Sequence, residues 1–314
     1  MNTLLTGATG FVGKCLAEVL DQQEAYLLTC AVRWIGGTQC GREVEISGID
    51  ADTDWTTALI DQQVVIHAAA RAHIMKDEVS DPLSEYRKVN VEGTLNLARQ
   101  AVEAGVRRFI YISSIKVNGE WTPQGEPFTA EDTPAPEDHY GISKLEAEQG
   151  LQELAAETGM EVVIIRPPLV YGPGVKGNFA SMMKLVGREL PLPLGAVQNS
   201  RSLVALDNLV DFVIPCISHP AAANQVFLVS DGEDLSTTEL LRAIARAMGR
   251  RSRLIPVPAR VFLFGASLLG KSAVAKRLLG SLQVDISKNR DILGWHPPIS
   301  VAKGMARAVG HPVG

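Results

Sequence analysis

Thr3-Leu4-Leu5-Thr6-Gly7-Ala8-Thr9-Gly10-Phe11-Val12-Gly13 opens the chain with a short apolar run, three regularly spaced glycines and the start of an amphipathic stretch. Strand, glycine turn and helix in that order begin a βαβ unit. Glycines are needed where the chain turns sharply and where backbone must approach a pyrophosphate closely. The helix that follows offers free N–H groups and the positive end of its dipole to an anion. A glycine-rich turn without a ligand is the bland alternative. Placement directly between a strand and a helix meets the context that a dinucleotide site requires.

Working outward, apolar runs at 27–32, 64–67, 109–113 and 162–166 alternate with helical stretches at 10–20, at 81–104 and from about 140 to 159. Gly105 stops the second helix, and Leu145, Leu151, Leu154 and Ala155 give the third one apolar face. Alternation of this kind predicts an α/β fold, a Rossmann-type doubly wound parallel sheet. Past Arg166, Pro167, Pro168, Pro173, Pro191 and Pro193 break regular structure. A helix over 179–187, a strand over 204–206, a helix from Leu209, a strand over 226–229 and a helix over 237–248 follow. The expected division is residues 1–166 as the NAD(P)-binding domain and 167–314 as a smaller mixed substrate lobe, with segments near 204–230 returning to the sheet.

A formal net charge of −5, read as spread evenly along the chain, argues against a nucleic-acid partner. Cys15, Cys30, Cys40 and Cys216 lack Cys-x-x-Cys spacing, so reduced thiols, no metal and a cytoplasmic location are expected. The apolar stretch 261–269 is too short to span a bilayer, and no basic leader precedes the first strand. No membrane partner is therefore expected.

Tyr140-Gly141-Ile142-Ser143-Lys144 puts a phenol and an ammonium on one face of a helix, one turn apart. The cation is expected to favour the phenolate, so that Tyr140 exchanges a proton near neutrality although free tyrosine titrates near ~10. Taken alone, such a pair is common on solvated helices. Tyr111-Ile112-Ser113-Ser114, however, ends an apolar strand at the carboxyl edge of the sheet, where open α/β folds bind ligands. Ser114 can there polarise a substrate carbonyl with Tyr140, whereas Ser113 also reads as an ordinary strand-end residue. Asn90 is an indifferent helix former whose amide can hold a water or a backbone group near the lysine, or serve structure alone. At the end of the second strand no Asp or Glu stands between Thr29 and Arg42 to hold a ribose. Arg33 there is either a surface arginine or the partner of a 2′-phosphate, which leans the cofactor from NAD(H) toward NADP(H).

Thr6 to Gly13, Val64 to Ala70, Asn90, Ser114, Tyr140 with Lys144, and Arg166-Pro167-Pro168-Leu169-Val170-Tyr171-Gly172-Pro173, in this order, resemble the extended short-chain dehydrogenase/reductase family over essentially the whole chain. The resemblance implies Gly7, Gly10, Phe11, Val12 and Gly13 around the pyrophosphate, Asp50 at the adenine amine, and Ala69 and Ala70 lining the cofactor. It also implies Lys144 on the nicotinamide ribose, Pro167 near the carboxamide, and Ser114, Tyr140 and Lys144 as catalytic residues. Within the family, the segment from Ser114 to Glu120 is similar to bacterial sugar-nucleotide enzymes of surface-polysaccharide synthesis, where 4-epimerases usually carry Tyr at the position of Asn118. Asn178 and Arg201 match positions that touch the diphosphate of a sugar nucleotide. A second arginine of the family pattern is missing where Ser281 to Asp285 stand, with Lys271, Lys276 and Arg277 nearby.

The expected activity is reduction of the C4 ketone of a UDP-linked 4-keto-6-deoxy sugar by NAD(P)H, with Tyr140 donating the proton. Its alternatives are a UDP-hexose 4-epimerase with tightly held NAD, a dihydroflavonol-type ketone reductase, and a non-catalytic NAD(P) sensor. Lys116 is either a substrate contact or a solvated lysine. His67 reads as a core histidine, and His73 and His139 as loop residues near the mouth. The helices over 81–104 and 140–159 resemble those that form a homodimer interface in the family.

Overall fold

The computed structural model describes residues 1–71, 81–268, 270 and 272–310. Strand and helix alternate as β1 (Asn2–Thr6), α1 (Phe11–Asp21), β2 (Leu27–Val32), β3 (Arg42–Glu45), α2 (Thr56–Leu59) and β4 (Val64–His67). They continue as α3 (Pro82–Arg87), α4 (Thr94–Glu103), β5 (Arg108–Ile112), α5 (His139–Thr158) and β6 (Glu161–Arg166). Next come β7 (Leu169–Tyr171), α6 (Gly177–Gly187), β8 (Leu203–Ala205), α7 (Leu206–Ser218), β9 (Gln225–Leu228) and α8 (Thr237–Ala247). The chain closes through α9 (Ala259–Leu268), α10 (Ser272–Leu279), α11 (Ser287–Leu293) and α12 (Val301–Ala308).

The main sheet runs β3-β2-β1-β4-β5-β6-β9, every neighbouring pair parallel. Helices cover both faces, which is why its strands read as apolar runs rather than alternating ones. Leu4 and Leu5, adjacent in β1, serve opposite cores because successive strand side chains point to opposite faces. Leu5 packs with Leu16 of α1, Ile66, Ile110 and Val213 of α7. Leu4 packs with Val65, Leu97 of α4, Phe109 and Leu151 of α5.

Strand order reverses between β1 and β4, where Thr6 lies in register with His67. The crevice outside the carboxyl ends of such a pair is where open α/β sheets take ligands.

Two expectations about elements need correction. The single helix expected over 81–104 carries a π-helical turn at Lys88–Gly93 between α3 and α4. Gly93 there lies against Ile49, to whose carbonyl carbon an added Cβ would come within 2.8 Å. Of the segments expected to return to the sheet, α7 and β9 do, but β8 pairs with β7 in a separate two-stranded sheet.

That small sheet belongs to the C-terminal lobe, whose core gathers Tyr171, Phe179, Leu240 and Met305. Buried Asp231 ties it together: it accepts from the Tyr171 hydroxyl at 2.6 Å and from Ala205 N–H and Asn208 Nδ2 at 2.7 Å each. Among the described residues no helix is long and apolar enough to cross a membrane. All four cysteines are free.

Candidate active site

Gly7 leaves β1 at φ +75°, and an added Cβ would come within 2.8 Å of the Ala69 nitrogen after β4. A Cβ on Gly13 would lie 2.1 Å from the Gly7 carbonyl oxygen. Only glycine at both positions lets the loop, the end of β4 and α1 close on one another. The first N–H groups of α1 have no intrahelical acceptor, and no side chain caps the helix at Gly10. A cavity of about 530 Å³ opens beside this loop, lined among others by Gly7, Gly10, Arg33, Gly48, Ala69 and Ala70. Its walls are largely backbone and small side chains, and Arg33 at the tip of β2 supplies a cation. The donors suit a dinucleotide phosphate and its adenosine half.

Phe11 does not line this cavity. Its ring packs between the sheet core and the C-terminal lobe, leaving its backbone to the loop.

Asp50 does not line this cavity, and Asn90 takes the structural one of the roles open to it. The Asp50 carboxylate accepts from the Thr53 hydroxyl at 2.8 Å and Asp52 N–H at 3.1 Å, bonds that hold it below the usual carboxylate range. It closes its own turn, and the cavity wall ends one residue earlier at Ile49. Asn90 is buried in the π-helical turn. Its Oδ1 accepts from Arg71 N–H at 2.8 Å, while Nδ2 donates to the Arg71 carbonyl at 3.1 Å and to Ser143 Oγ at 3.0 Å. Every polar atom of the amide thus fastens the wall after β4 to α5, which positions the cavity rather than reaching into it. His67 is the expected core histidine, bonded to Thr6 Oγ1 at 2.7 Å and Thr94 Oγ1 at 3.0 Å. Burial, with the Lys144 charge beside it, pushes it down to about 3 and keeps it neutral.

α5 starts on an Asp138 cap, whose side chain accepts from Gly141 N–H at 2.7 Å, and thereby presents Tyr140 and Lys144 one turn apart. The Tyr140 ring meets buried Tyr86 edge-on at 6.1 Å. Its hydroxyl has no hydrogen-bond partner among the described residues. Lys144 is buried over the Tyr111 ring at 4.4 Å, its Nζ donating to the Ile112 carbonyl at 2.9 Å. Burial pulls this lysine down to about 7 against the opposing pull of Glu148.

The expected depression of the phenol is not observed. Burial, then the charges of Asp138 and Tyr86, push Tyr140 above the ordinary phenol value. Lys144 Nζ lies 5.9 Å from the Tyr140 ring centroid and is turned toward Ile112, so its field does not offset desolvation.

At the end of β5, Ser113 and Ser114 differ in their surroundings. Ser113 is buried and bonded to Glu148. Ser114 is half-buried at the edge of the sheet and caps the turn Ile115–Val117. Glu148 and Arg166 form a buried ion pair at 2.5 Å, and Arg166 Nη1 donates to Asn118 Oδ1 at 2.9 Å. The same carboxylate therefore locks α5, the end of β5 and the end of β6 into one frame. Asn118 also donates to the Thr129 carbonyl at 3.0 Å, so it is a strut of that frame and not a wall of the substrate space. Pro167 follows β6, its carbonyl accepting from Ile115 N–H at 3.0 Å just past Ser114.

At the far end, Asn178 is exposed in the first turn of α6. Arg201 donates Nη1 to the carbonyls of Arg277 at 3.1 Å and Gly280 at 3.0 Å. Burial and the neighbouring Arg277 charge lower its pKa. Neither arginine is in an ion pair among the described residues, and the Glu120 charge opposes the effect of Arg277 on Arg201. Arg277 is brought near Arg201 by the bridge of Arg201 to Leu282 and by the bonds of Asn199 to the Leu278 and Gly280 carbonyls, pairings that no local sequence signal marks.

Lys116 is half-buried and held by Glu120 and Asp138, so its ammonium is paired. His139 is exposed at the start of α5, and His73 lies outside the described residues.

The model of the NAD dependent epimerase/dehydratase family matches residues 3–230. A Vibrio cholerae protein called UDP-glucose 4-epimerase is 53% identical over 302 residues, 96% of this chain and 92% of its own length. GDP-6-deoxy-D-mannose reductase of Pseudomonas aeruginosa is 27% identical, covering 96% of this chain and 93% of that one. Among solved structures, a UDP-glucose 4-epimerase with UDP-glucose from Thermotoga maritima shares the fold at TM-score 0.77 and 23% identity, over 98% of this chain and 97% of its own.

Proposed function

The chain belongs to the NAD dependent epimerase/dehydratase family, and from that premise we propose that it is a 4-epimerase of UDP-linked hexoses. The observation that carries this is the 53% identity to the Vibrio cholerae UDP-glucose 4-epimerase across 96% of the chain. It moves the epimerase ahead of the keto-sugar reductase expected from sequence. Asn118, the residue that spoke for a reductase, is spent on Arg166 and Thr129 and carries no preference.

Gly7, Gly10, Gly13 and the first N–H groups of α1 would hold the pyrophosphate, and Ala69, Ala70 and Arg33 the cavity around the adenosine half. NAD, when bound, supplies a reversible hydride acceptor for C4. With the phenol's own proton passed to the Lys144 amine, Tyr140 would take the C4 hydroxyl proton and return it after the sugar presents its other face, while Ser114 hydrogen-bonds the C4 oxygen. A lysine near 7 can share the phenol's proton: phenol with amine and phenolate with ammonium carry the same net charge, so neither form adds charge to a buried site.

Arg201 and Arg277, with Asn178, would grip the diphosphate. Arg201→Ala should raise KM for a UDP-hexose about tenfold to a hundredfold with kcat nearly kept, as loss of a charged hydrogen bond implies. Initial-rate kinetics check it; a fall in kcat at constant KM contradicts the assignment. α4 and α5 are the surfaces proposed for a homodimer.

The test of the reaction is incubation of purified protein with UDP-galactose, without added cofactor, followed by chromatography of the UDP-hexoses. Interconversion supports an epimerase. Failure to interconvert UDP-hexoses or UDP-hexosamines, with NADPH consumed on UDP-4-keto sugars, would instead select the reductase.

That second reading has one observation in its favour. Arg33 lines the adenosine cavity, and no acid stands at the tip of β2, a pattern suited to NADP(H) and hence to a cofactor that exchanges at each turnover. Arg33→Ala should then weaken NADP(H) binding at least ~tenfold and leave NAD(H) within about twofold. Titration of nicotinamide fluorescence checks it, and equal loss for both cofactors sinks the 2′-phosphate role.

A further inference from the structure

From Leu240 to Val284 the chain carries nine Lys and Arg and no Asp or Glu, whereas the rest holds 21 basic against 35 acidic residues. Charge is therefore segregated, contrary to the even spread expected from the totals. The segment is the end of α8, a linker, and the helices α9 and α10 of the C-terminal lobe.

On α9, Val261, Phe264 and Leu268 are 59%, 67% and 74% exposed, spaced so as to share one helix face. Val274 of α10 and Ile255 of the linker are exposed as well. Phe262, on another face of α9, packs on the lobe core and anchors the helix. Arg251 and Arg253 of the linker, Arg260 of α9 and Lys276 of α10 belong to the same segment, all exposed and in no ion pair among the described residues. Among the described residues of the segment, Arg250 alone meets an acid, Glu189, at 3.6 Å.

We propose that the α9–α10 hairpin is a peripheral docking surface for an anionic lipid bilayer. Large apolar side chains exposed to water on a segment whose only charges are cations are what an interfacial helix presents to acyl chains and headgroup phosphates. A second copy fits poorly, since an isologous contact would set these cations against themselves. Nucleic acid would use the cations but leave Phe264 and Leu268 in water.

Docking involves the surface of the lobe and no spanning helix. It also places the end of α10, next to the Gly280 carbonyl that holds Arg201, near the bilayer. The surface does not depend on which reaction the site performs.

Sedimentation with vesicles of phosphatidylglycerol and phosphatidylethanolamine, compared with vesicles of phosphatidylcholine, tests it. The full chain should partition at least tenfold more strongly to the anionic vesicles and be released by salt. Phe264→Ser with Leu268→Ser, and separately Arg251→Glu with Arg253→Glu, should each cut that binding at least tenfold while circular dichroism, Tm and turnover of a soluble sugar nucleotide stay unchanged. Absence of binding to anionic vesicles overturns the proposal, as does binding that survives both double variants. Concentration-dependent self-association abolished by the serine pair, without vesicle binding, assigns the face to a second copy and equally overturns it.

Discussion

Tyr140→Phe is expected to lower kcat for C4 chemistry by about 10² to 10⁴, the usual share of a positioned acid–base group, with cofactor affinity and KM nearly unchanged. The expectation follows from where the ring sits. Its packing against Tyr86 at 6.1 Å involves the aromatic face and edge, which phenylalanine keeps. The hydroxyl has no partner among the described residues, so its removal strands no buried donor and should change stability by less than about 1 kcal/mol. The phenol is held in its protonated form by burial, and the hydroxyl deleted is therefore a proton carrier rather than a structural bond. Stopped-flow and steady-state measurements on the same sugar nucleotide decide it. A loss smaller than tenfold would remove Tyr140 from the reaction and leave the proton to another group.

What the sequence disclosed about this site follows physical lines. β1, β4, β5 and β6 were legible because strands buried on both faces must be nearly continuous in Val, Ile and Leu. β3 escaped because only Val44 of Arg42–Glu45 is buried, and an edge strand whose other three residues are charged lacks that signal. β7 escaped because it is three residues long and follows two prolines. The glycine loop, Tyr140 and Lys144 were local patterns and stand where spacing put them. The roles of Asn90, Asp50 and Asn118 were not local: each depends on partners at 71 and 143, at 52 and 53, or at 129 and 166. Arg277 comes next to Arg201 across 76 residues, and no periodicity encodes that meeting. The electrostatics failed for the same reason, since helical spacing gives the distance between Tyr140 and Lys144 but not the Ile112 carbonyl that turns the ammonium away.

Lys144→Met is expected to disable the enzyme and stabilise the fold. In the native chain burial lowers this lysine from about 10.5 to about 7. Between those values the unfolded chain holds the proton and the folded one does not, so stability rises with pH across the window. Below about 7 both states are protonated and the full cost of burying the cation is present. That cost is on the order of 3–5 kcal/mol, at ~1.4 kcal/mol for each pH unit of displacement. Methionine fills a similar volume without charge, and it forfeits the bond to the Ile112 carbonyl, worth about 1 kcal/mol. The variant apoprotein should therefore be more stable by about 2–4 kcal/mol at pH 6, with the advantage shrinking to nothing near pH 10. Activity should fall by about 10² to 10⁴, because the phenol loses the base that shares its proton. Urea denaturation of apoprotein at several pH values, paired with turnover, separates the two effects. Parallel stability curves for the two proteins from pH 6 to 10 would show that Lys144 keeps an ordinary pKa in the fold, and the shared-proton account of the site would fail with it.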